Sequence, residues 1–133
     1  MANINVVQKR YQKPLSEFVK EALEKYEDKI ESIILFGSVA RGDAKEDSDI
    51  DILVVGDVGV EELVDISFSI LVKYGELISV KDMKKDHFNF LVREEYSFLK
   101  NVLGEGVVLY ERMGEAFRKG RRKAEVRGYS VGK

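Results

Sequence analysis

The sequence predicts an α/β (α+β) fold in which helices cover a small mixed β-sheet. Two apolar patterns alternate along its 133 residues. Short β-branched apolar runs are typical of buried strands, and longer segments with apolar residues every three or four positions are typical of amphipathic helices. They follow one another in the order α-β-β-α-β-α-β, without an internal repeat, and this order indicates a mixed sheet packed against helices.

The first half of the chain supplies one helix and two strands. Residues 14–29 place their apolar side chains on one helical face, so they predict an amphipathic helix. Pro14 suits its first turn, and Ser16 suits a capping role. The apolar, β-branched segment 30–36 predicts a buried strand, and 49–55 predicts a second.

The second half adds two helical regions and two strands. Gly75 is a natural end for the first of these helices, because glycine readily adopts the left-handed conformation that closes a helix. The predicted elements are a helix over 61–74, a short strand over 76–80, a helical region over 84–103 broken near Arg93, and a strand over 104–110.

Length and composition limit the possible functions. The chain is long enough for one domain, and its 44% hydrophobic and 35% charged residues are typical of a water-soluble globular protein. Because it has no cysteine, disulfides, thiolate chemistry and cysteine-ligated zinc are excluded. No apolar stretch is long enough to span a membrane and no signal peptide is evident, so we expect a cytoplasmic protein without a membrane partner.

The charges are distributed unevenly. Seven of the 22 basic residues but only one of the 24 acidic residues lie from residue 118 onward, which leaves a net charge of −8 on residues 1–117. We therefore predict a single domain over 1–117 and a basic tail over 118–133. The tail could contact RNA or DNA phosphates, but it lacks interleaved aromatic residues, so a solvated terminus is the favoured interpretation.

Two aspartates interrupt the second predicted strand. Asp49 and Asp51 are two residues apart, so their side chains point to the same face of the sheet. Two close, partly desolvated carboxylates repel each other, and one should have a raised pKa unless a cation lies between them. Mg²⁺ would relieve this repulsion, since it binds a few carboxylates together with substrate phosphates. A solvated edge strand is the alternative interpretation of such a pair.

The turn between the two strands offers groups for an anion. Gly37 and Ser38 follow a strand where a helix can begin, so their backbone N–H groups and the Ser38 hydroxyl could face a phosphate. Arg41 adds a positive charge nearby. Each feature alone has a simpler interpretation, an ordinary turn or an ion pair between Arg41 and Asp43. Their combination with the aspartate pair predicts a nucleoside triphosphate site.

The stretch GSVARGDAKEDSDIDILVV resembles the signature of the minimal nucleotidyltransferases of the DNA polymerase β superfamily. The resemblance is strong over residues 33–55 and looser over the following helix, strand and FLKNVLGEGVVLYE. It implies an α/β core with a mixed sheet, and transfer of a nucleoside monophosphate from an NTP, with ATP the expected one, onto a hydroxyl or phosphate.

The resemblance also implies roles for individual residues. Asp49 and Asp51 would hold the metals, with two Mg²⁺ ions expected. The expected nucleotide-binding residues are Gly37, Ser38, Arg41 and Ser48.

Active members of the superfamily have a third acidic residue on the next core strand. The candidate here is Glu76, as a third ligand or general base, and its alternative is an exposed residue at the start of a strand. Asp82 is expected to be a helix N-cap or turn residue instead.

The resemblance suggests a partner as well. Minimal nucleotidyltransferases are often antitoxins that modify a small helical HEPN-type protein, and the small size of this chain suggests such a partner or self-association. The alternative function is a non-catalytic nucleotide-binding or partner-docking module with a degenerate site. Nucleic acid is a less supported partner.

Overall fold

The computed structural model describes residues 4–112, and these form a four-stranded sheet between two layers of helices. The helices and strands follow in the order α1 Lys9–Tyr26, β1 Ile30–Phe36, α2 Gly37–Arg41, β2 Ile50–Gly56, α3 Val60–Tyr74, β3 Ile78–Met83, α4 Lys85–Arg93, α5 Ser97–Glu105 and β4 Val107–Glu111. The predicted fold class is confirmed. The predicted domain end at 117 and the basic tail lie outside the described residues and stay predictions.

The sheet has the strand order β3-β2-β1-β4. Strand β1 is antiparallel to both β2 and β4, whereas β2 and β3 are parallel and are joined through α3. In the register of the first pair Phe36 lies opposite Asp51, and in the parallel pair Asp51 lies beside Ser79. The end of β1 and the beginning of β2 therefore meet at one edge of the sheet.

The two faces of the sheet carry separate cores. The larger core packs α1 and α3 against one face, with side chains such as Phe18, Ile52 and Ile66, while the smaller core packs α4 and α5 against the other, around Leu53 and Phe88. Within the described range no helix is long and apolar enough to cross a membrane.

Strand β1 and the αL glycine that ends α3, Gly75, agree with the sequence predictions, and so does a break between α4 and α5. Helix α1 differs, because it begins at Lys9 and contains Pro14 in its interior. The helical residues before Pro14, about one and a half turns, bury Tyr11 completely, which offsets the loss of one backbone hydrogen bond at the proline. Ser16 is consequently an interior helical residue rather than a cap.

Strand β3 also differs from its prediction. It begins at Ile78 and runs to Met83, so Glu76 precedes the strand. The predicted N-cap or turn role of Asp82 is wrong, because Asp82 lies within β3, opposite Val54. Pairing with β2 extends the strand over these polar positions, and a local apolar pattern does not reveal that pairing.

Candidate active site

The turn from β1 into α2 passes directly beside a carboxylate. Gly37 has a φ angle of +79°, in the left-handed region that favours glycine. A Cβ atom at this position would also collide with Oδ2 of Asp51. Glycine is therefore required here both by the backbone conformation and by the space that the Asp51 side chain occupies.

Asp51 is a half-buried carboxylate on the α4/α5 face of the sheet. Its side chain shares this face with Leu53 and Val55, because side chains alternate along the strand. Burial raises the pKa of Asp51, and the charge of Asp49 raises it further, while Lys81 and Arg41 act in the opposite direction. The raised pKa agrees with the repulsion that the same-face spacing predicts.

Asp49 lies just before β2 and is exposed. Its charge acts on Asp51, so the two aspartates form a carboxylate pair at this edge of the sheet. Two such groups fit a Mg²⁺ ion that takes its remaining ligands from phosphate and water. Among residues 4–112 no group of three or more histidine and acidic side chains is placed to hold a metal.

Arg41 ends α2 close to this carboxylate pair. Its Nε lies 3.3 Å from Oδ2 of Asp43, and its Nη1 lies 3.1 Å from Oε1 of Glu105 on α5. Both contacts raise the pKa of Arg41, that with Asp43 the more strongly. The ion pair between Arg41 and Asp43, which is the simpler interpretation of Arg41 from the sequence, is thus present in the structure. The charge of Arg41 nevertheless also acts on Asp51.

The two serines of the motif have different surroundings. Ser48 closes a turn, since its Oγ accepts a hydrogen bond of 2.8 Å from the backbone N–H of Lys45 and its own N–H donates to the Lys45 carbonyl at 3.0 Å. Ser38 is the second residue of α2, and its carbonyl accepts hydrogen bonds from the N–H groups of Gly42 and Asp43. Ser38 therefore lies beside Gly37, and Ser48 shapes the approach to Asp49.

Glu76 lies apart from the carboxylate pair. It is buried in front of β3 and binds Arg10 of α1, with 2.7 Å between Oε2 and Nε. The β3 residue beside Asp51 is instead Ser79, and Lys81, two residues further on, faces the same side. The structure thus brings Asp49, Asp51, Gly37 and Arg41 together but does not place Glu76 with them.

Sequence reasoning did not single out Arg10, Ser79 or Lys81. Arg10 lies in the first turn of α1, before Pro14, in a segment for which the sequence predicts no helix. The alternation of side chains could have identified Ser79 and Lys81 as neighbours of Asp51, but only with the register of β3 against β2 in hand.

Comparison with known proteins shows the family. A family model described as a nucleotidyltransferase domain matches residues 15–123. A protein of Methanocaldococcus jannaschii that is named as a protein adenylyltransferase is 46% identical over 99 residues, which are 74% of this chain and 97% of that protein. A second so-named protein of this organism is 54% identical over 41 residues, 31% of this chain and 28% of its own length.

Solved structures share the fold at lower sequence identity. A crystal structure of a toxin–antitoxin with AMP-PNP has a TM-score of 0.55 and 18% identity, covering 77% of this chain and 78% of that one. A mutant of the MntA–HpeT toxin–antitoxin has a TM-score of 0.54 and 16% identity, covering 77% of each chain. Since the family model spans most of the sequence and the M. jannaschii relative is matched almost over its full length, the chain belongs to the nucleotidyltransferase domain family and is a nucleotidyltransferase.

Proposed function

We propose that this chain is a metal-dependent adenylyltransferase that moves AMP from ATP onto an acceptor hydroxyl. The observation that carries the proposal is the carboxylate pair of Asp49 and Asp51 beside Gly37. Asp51 has a raised pKa and occupies space that only glycine leaves free. Such a pair favours a cation, and the turn at Gly37, where α2 begins, lies directly beside it.

Each proposed ligand has a specific task. Asp49 and Asp51 would hold Mg²⁺, Gly37 and Ser38 would contact the triphosphate, and Arg41 would add positive charge next to it. Ser48 would maintain the turn before Asp49 and bind nucleotide there. When bound, Mg²⁺ supplies charge neutralisation at the phosphates and polarises the α-phosphate. Two such ions, the number expected from the sequence, would need ligands from the nucleotide and water as well.

The transfer itself is a displacement at the α-phosphorus of ATP. The acceptor oxygen forms a bond to this phosphorus while the bond between the phosphorus and the α,β-bridging oxygen breaks. Pyrophosphate leaves with the electron pair of that bond, and the proton of the acceptor hydroxyl passes to a base or to water. In the role expected from the sequence Glu76 would be this base, and that role stays a prediction.

The proposed acceptor is a side-chain hydroxyl of a partner protein. The M. jannaschii relative is named for adenylyl transfer to protein, and it is matched over 97% of its length. Toxin–antitoxin assemblies share the fold, and one of them was crystallised with AMP-PNP. The first acceptor to test is a small helical HEPN-type protein, to be sought among the products of the neighbouring genes.

The test is a transfer assay with ATP labelled at the α-phosphate, Mg²⁺ and the candidate partner. We expect label on the partner with the wild-type chain, and none with Asp49→Asn or Asp51→Asn. Calorimetric titration with the Mg²⁺ complex of α,β-methylene-ATP should show binding to the wild type and none to either variant. Asp82→Asn is the matched control, since it removes a carboxylate further along β3.

Two outcomes would contradict the proposal. Unchanged nucleotide affinity in both aspartate variants would remove the metal-site assignment. Nucleotide binding without transfer to any offered acceptor would instead favour the non-catalytic binding module.

A further inference from the structure

We propose that Arg10 and Glu76 form a brace that positions the segment carrying Asp49. In this role both are positioning residues, and neither takes part in proton transfer. The proposal rests on the proposed function, because Asp49 is taken as a metal ligand. It gives Glu76 a different role from the general base expected from the sequence, and one experiment separates the two roles.

The brace is a bidentate ion pair between two elements far apart in sequence. Nε of Arg10 donates to Oε2 of Glu76 at 2.7 Å, and Nη2 donates to Oε1 at 3.2 Å. The Glu76 side chain is only 11% exposed, and the Arg10 guanidinium lies 4.9 Å from the centre of the Tyr11 ring. Both oxygens of Glu76 are thus engaged, and the fork geometry fixes the guanidinium plane.

The same guanidinium also holds the loop before Asp49. Nη2 of Arg10 donates a hydrogen bond of 2.8 Å to the backbone carbonyl of Glu46. The loop is closed on itself by the reciprocal bonds between Lys45 and Ser48. Fixing the carbonyl of Glu46 therefore fixes this compact turn as a unit against α1.

A second bond holds the other side of Asp49. The N–H of Ile50 donates a hydrogen bond of 2.9 Å to the carbonyl of Leu77. Leu77 directly follows Glu76 in the chain. Asp49 itself is exposed and precedes β2, so packing alone does not fix its position. The backbone around Asp49 is instead held at two points, the carbonyl of Glu46 and the N–H of Ile50. Glu76 supports the first point through the guanidinium that it orients, and its neighbour Leu77 binds the second.

This arrangement predicts the effect of breaking the brace. Without Arg10 the carbonyl of Glu46 loses its partner, and without Glu76 the guanidinium is no longer oriented toward that carbonyl. Either change frees the turn and displaces Asp49 relative to Asp51. The two changes should be equivalent, and making both together should add nothing.

The first measurement uses the protein without nucleotide or metal. Amide hydrogen exchange over residues 44–50 should become faster by roughly threefold to tenfold in Arg10→Gln, in Glu76→Gln and in the double variant alike. The matched control is the pair of Glu17 and Lys73, which lie 2.9 Å apart and also tie α1 to a distant part of the chain, in this case α3. Glu17→Gln and Lys73→Gln should leave exchange over 44–50 unchanged.

The second measurement is titration with the Mg²⁺ complex of α,β-methylene-ATP. Each single brace variant should raise the Kd by roughly threefold to tenfold, and the double variant should be no weaker than the weaker single one. Arg10→Lys should restore part of the affinity, since it keeps the charge but not the two-pronged contact.

Specific outcomes would overturn the brace. One is a Glu76→Gln variant with normal exchange and normal Kd that has lost transfer activity, as expected of a general base. Another is an additive double variant, which would mean independent roles. If the wild type bound no nucleotide at all, the proposed function would fail while the exchange measurement would still decide whether the brace holds the loop.

Discussion

Asp51 and Glu76 are two partly or fully buried carboxylates near the same edge of the sheet, and their surroundings are opposite. Glu76 is neutralised by a bidentate contact with Arg10. Within residues 4–112 no side chain donates a hydrogen bond to Asp51, and burial, followed by the charge of Asp49, raises its pKa. Glu76 thus stabilises the fold, whereas Asp51 is retained at an energetic disadvantage, as expected of a functional residue.

The difference arises from which side of the sheet each carboxylate faces. Glu76 precedes β3 and turns toward α1, where Arg10 is available. Asp51 is inside β2 and points to the opposite face, where its carboxylate lies directly against the backbone of Gly37. A carboxylate that no side chain binds can exchange its repulsion for a ligand, but a carboxylate already held by arginine cannot do so without breaking that pair.

The largest expected effect comes from adding a side-chain atom at Gly37, where the Asp51 carboxylate already occupies the space. Gly37→Ala should lower the free energy of unfolding by about 2–4 kcal/mol, because the new Cβ collides with the Asp51 carboxylate and the φ angle is positive. Nucleotide binding should be lost as well. Chemical denaturation followed by circular dichroism measures the first effect, and calorimetry measures the second.

Gly42 offers a matched control for this substitution. Its φ angle of +84° is almost the same, but no atom lies within 4 Å of an added Cβ. Gly42→Ala should therefore cost only about 1 kcal/mol. In an Asp51→Ala background the penalty at Gly37 should fall toward that value, and an undiminished penalty would show that Asp51 is not what fills the space.

Smaller effects of opposite sign are expected when each carboxylate is neutralised. Glu76→Gln should lower the free energy of unfolding by about 1 kcal/mol, because it weakens a buried charged hydrogen bond. Asp51→Asn should leave it unchanged or raise it slightly, because it removes desolvation and repulsion at a half-buried group that solvent still screens. Denaturation at neutral pH without metal tests both, and a clear loss of stability in Asp51→Asn would contradict the comparison.

The contrast between the two carboxylates also marks what the sequence could predict. Local patterns suffice for β1 and for the αL glycine that ends α3, because these depend on neighbours within a few residues. The position of Glu76 does not follow from such patterns. It depends on where β3 pairs with β2 and on an arginine 66 positions away in the chain.

Arg10 was inaccessible to sequence reasoning for a related reason. Pro14 is a helix-start signal locally, yet α1 continues through it because Tyr11 becomes buried in the larger core. That burial is a tertiary effect which outweighs local propensity. The brace depends on the first turn of α1, before Pro14, and therefore appears only in the folded chain.

The smallest expected effect is a pH dependence that separates the repelled carboxylate from a paired one. The pKa of Asp51 is raised above its ordinary value of 3.8, mainly by burial and then by Asp49. The folded state therefore holds the Asp51 proton more tightly than the unfolded state, and stability falls as the pH rises through this interval. Apart from a constant offset caused by the substitution itself, Asp51→Asn and the wild type should have equal stability below pH 3.8. Above this pH the variant should become more stable relative to the wild type, until the pH exceeds the raised pKa of Asp51.

Asp57 is the control of opposite sign, because the Lys84 ammonium, 2.9 Å away, lowers its pKa. Asp57→Asn should lose stability relative to the wild type as the pH rises toward 3.8, which is the interval below the one in which Asp51 acts, and by a small amount because the pair is exposed and screened. The measurement is the melting temperature of the three proteins between pH 3 and 7, at low ionic strength and without divalent metal. Parallel curves of melting temperature against pH for the wild type and Asp51→Asn would show that the Asp51 charge does not destabilise the folded state.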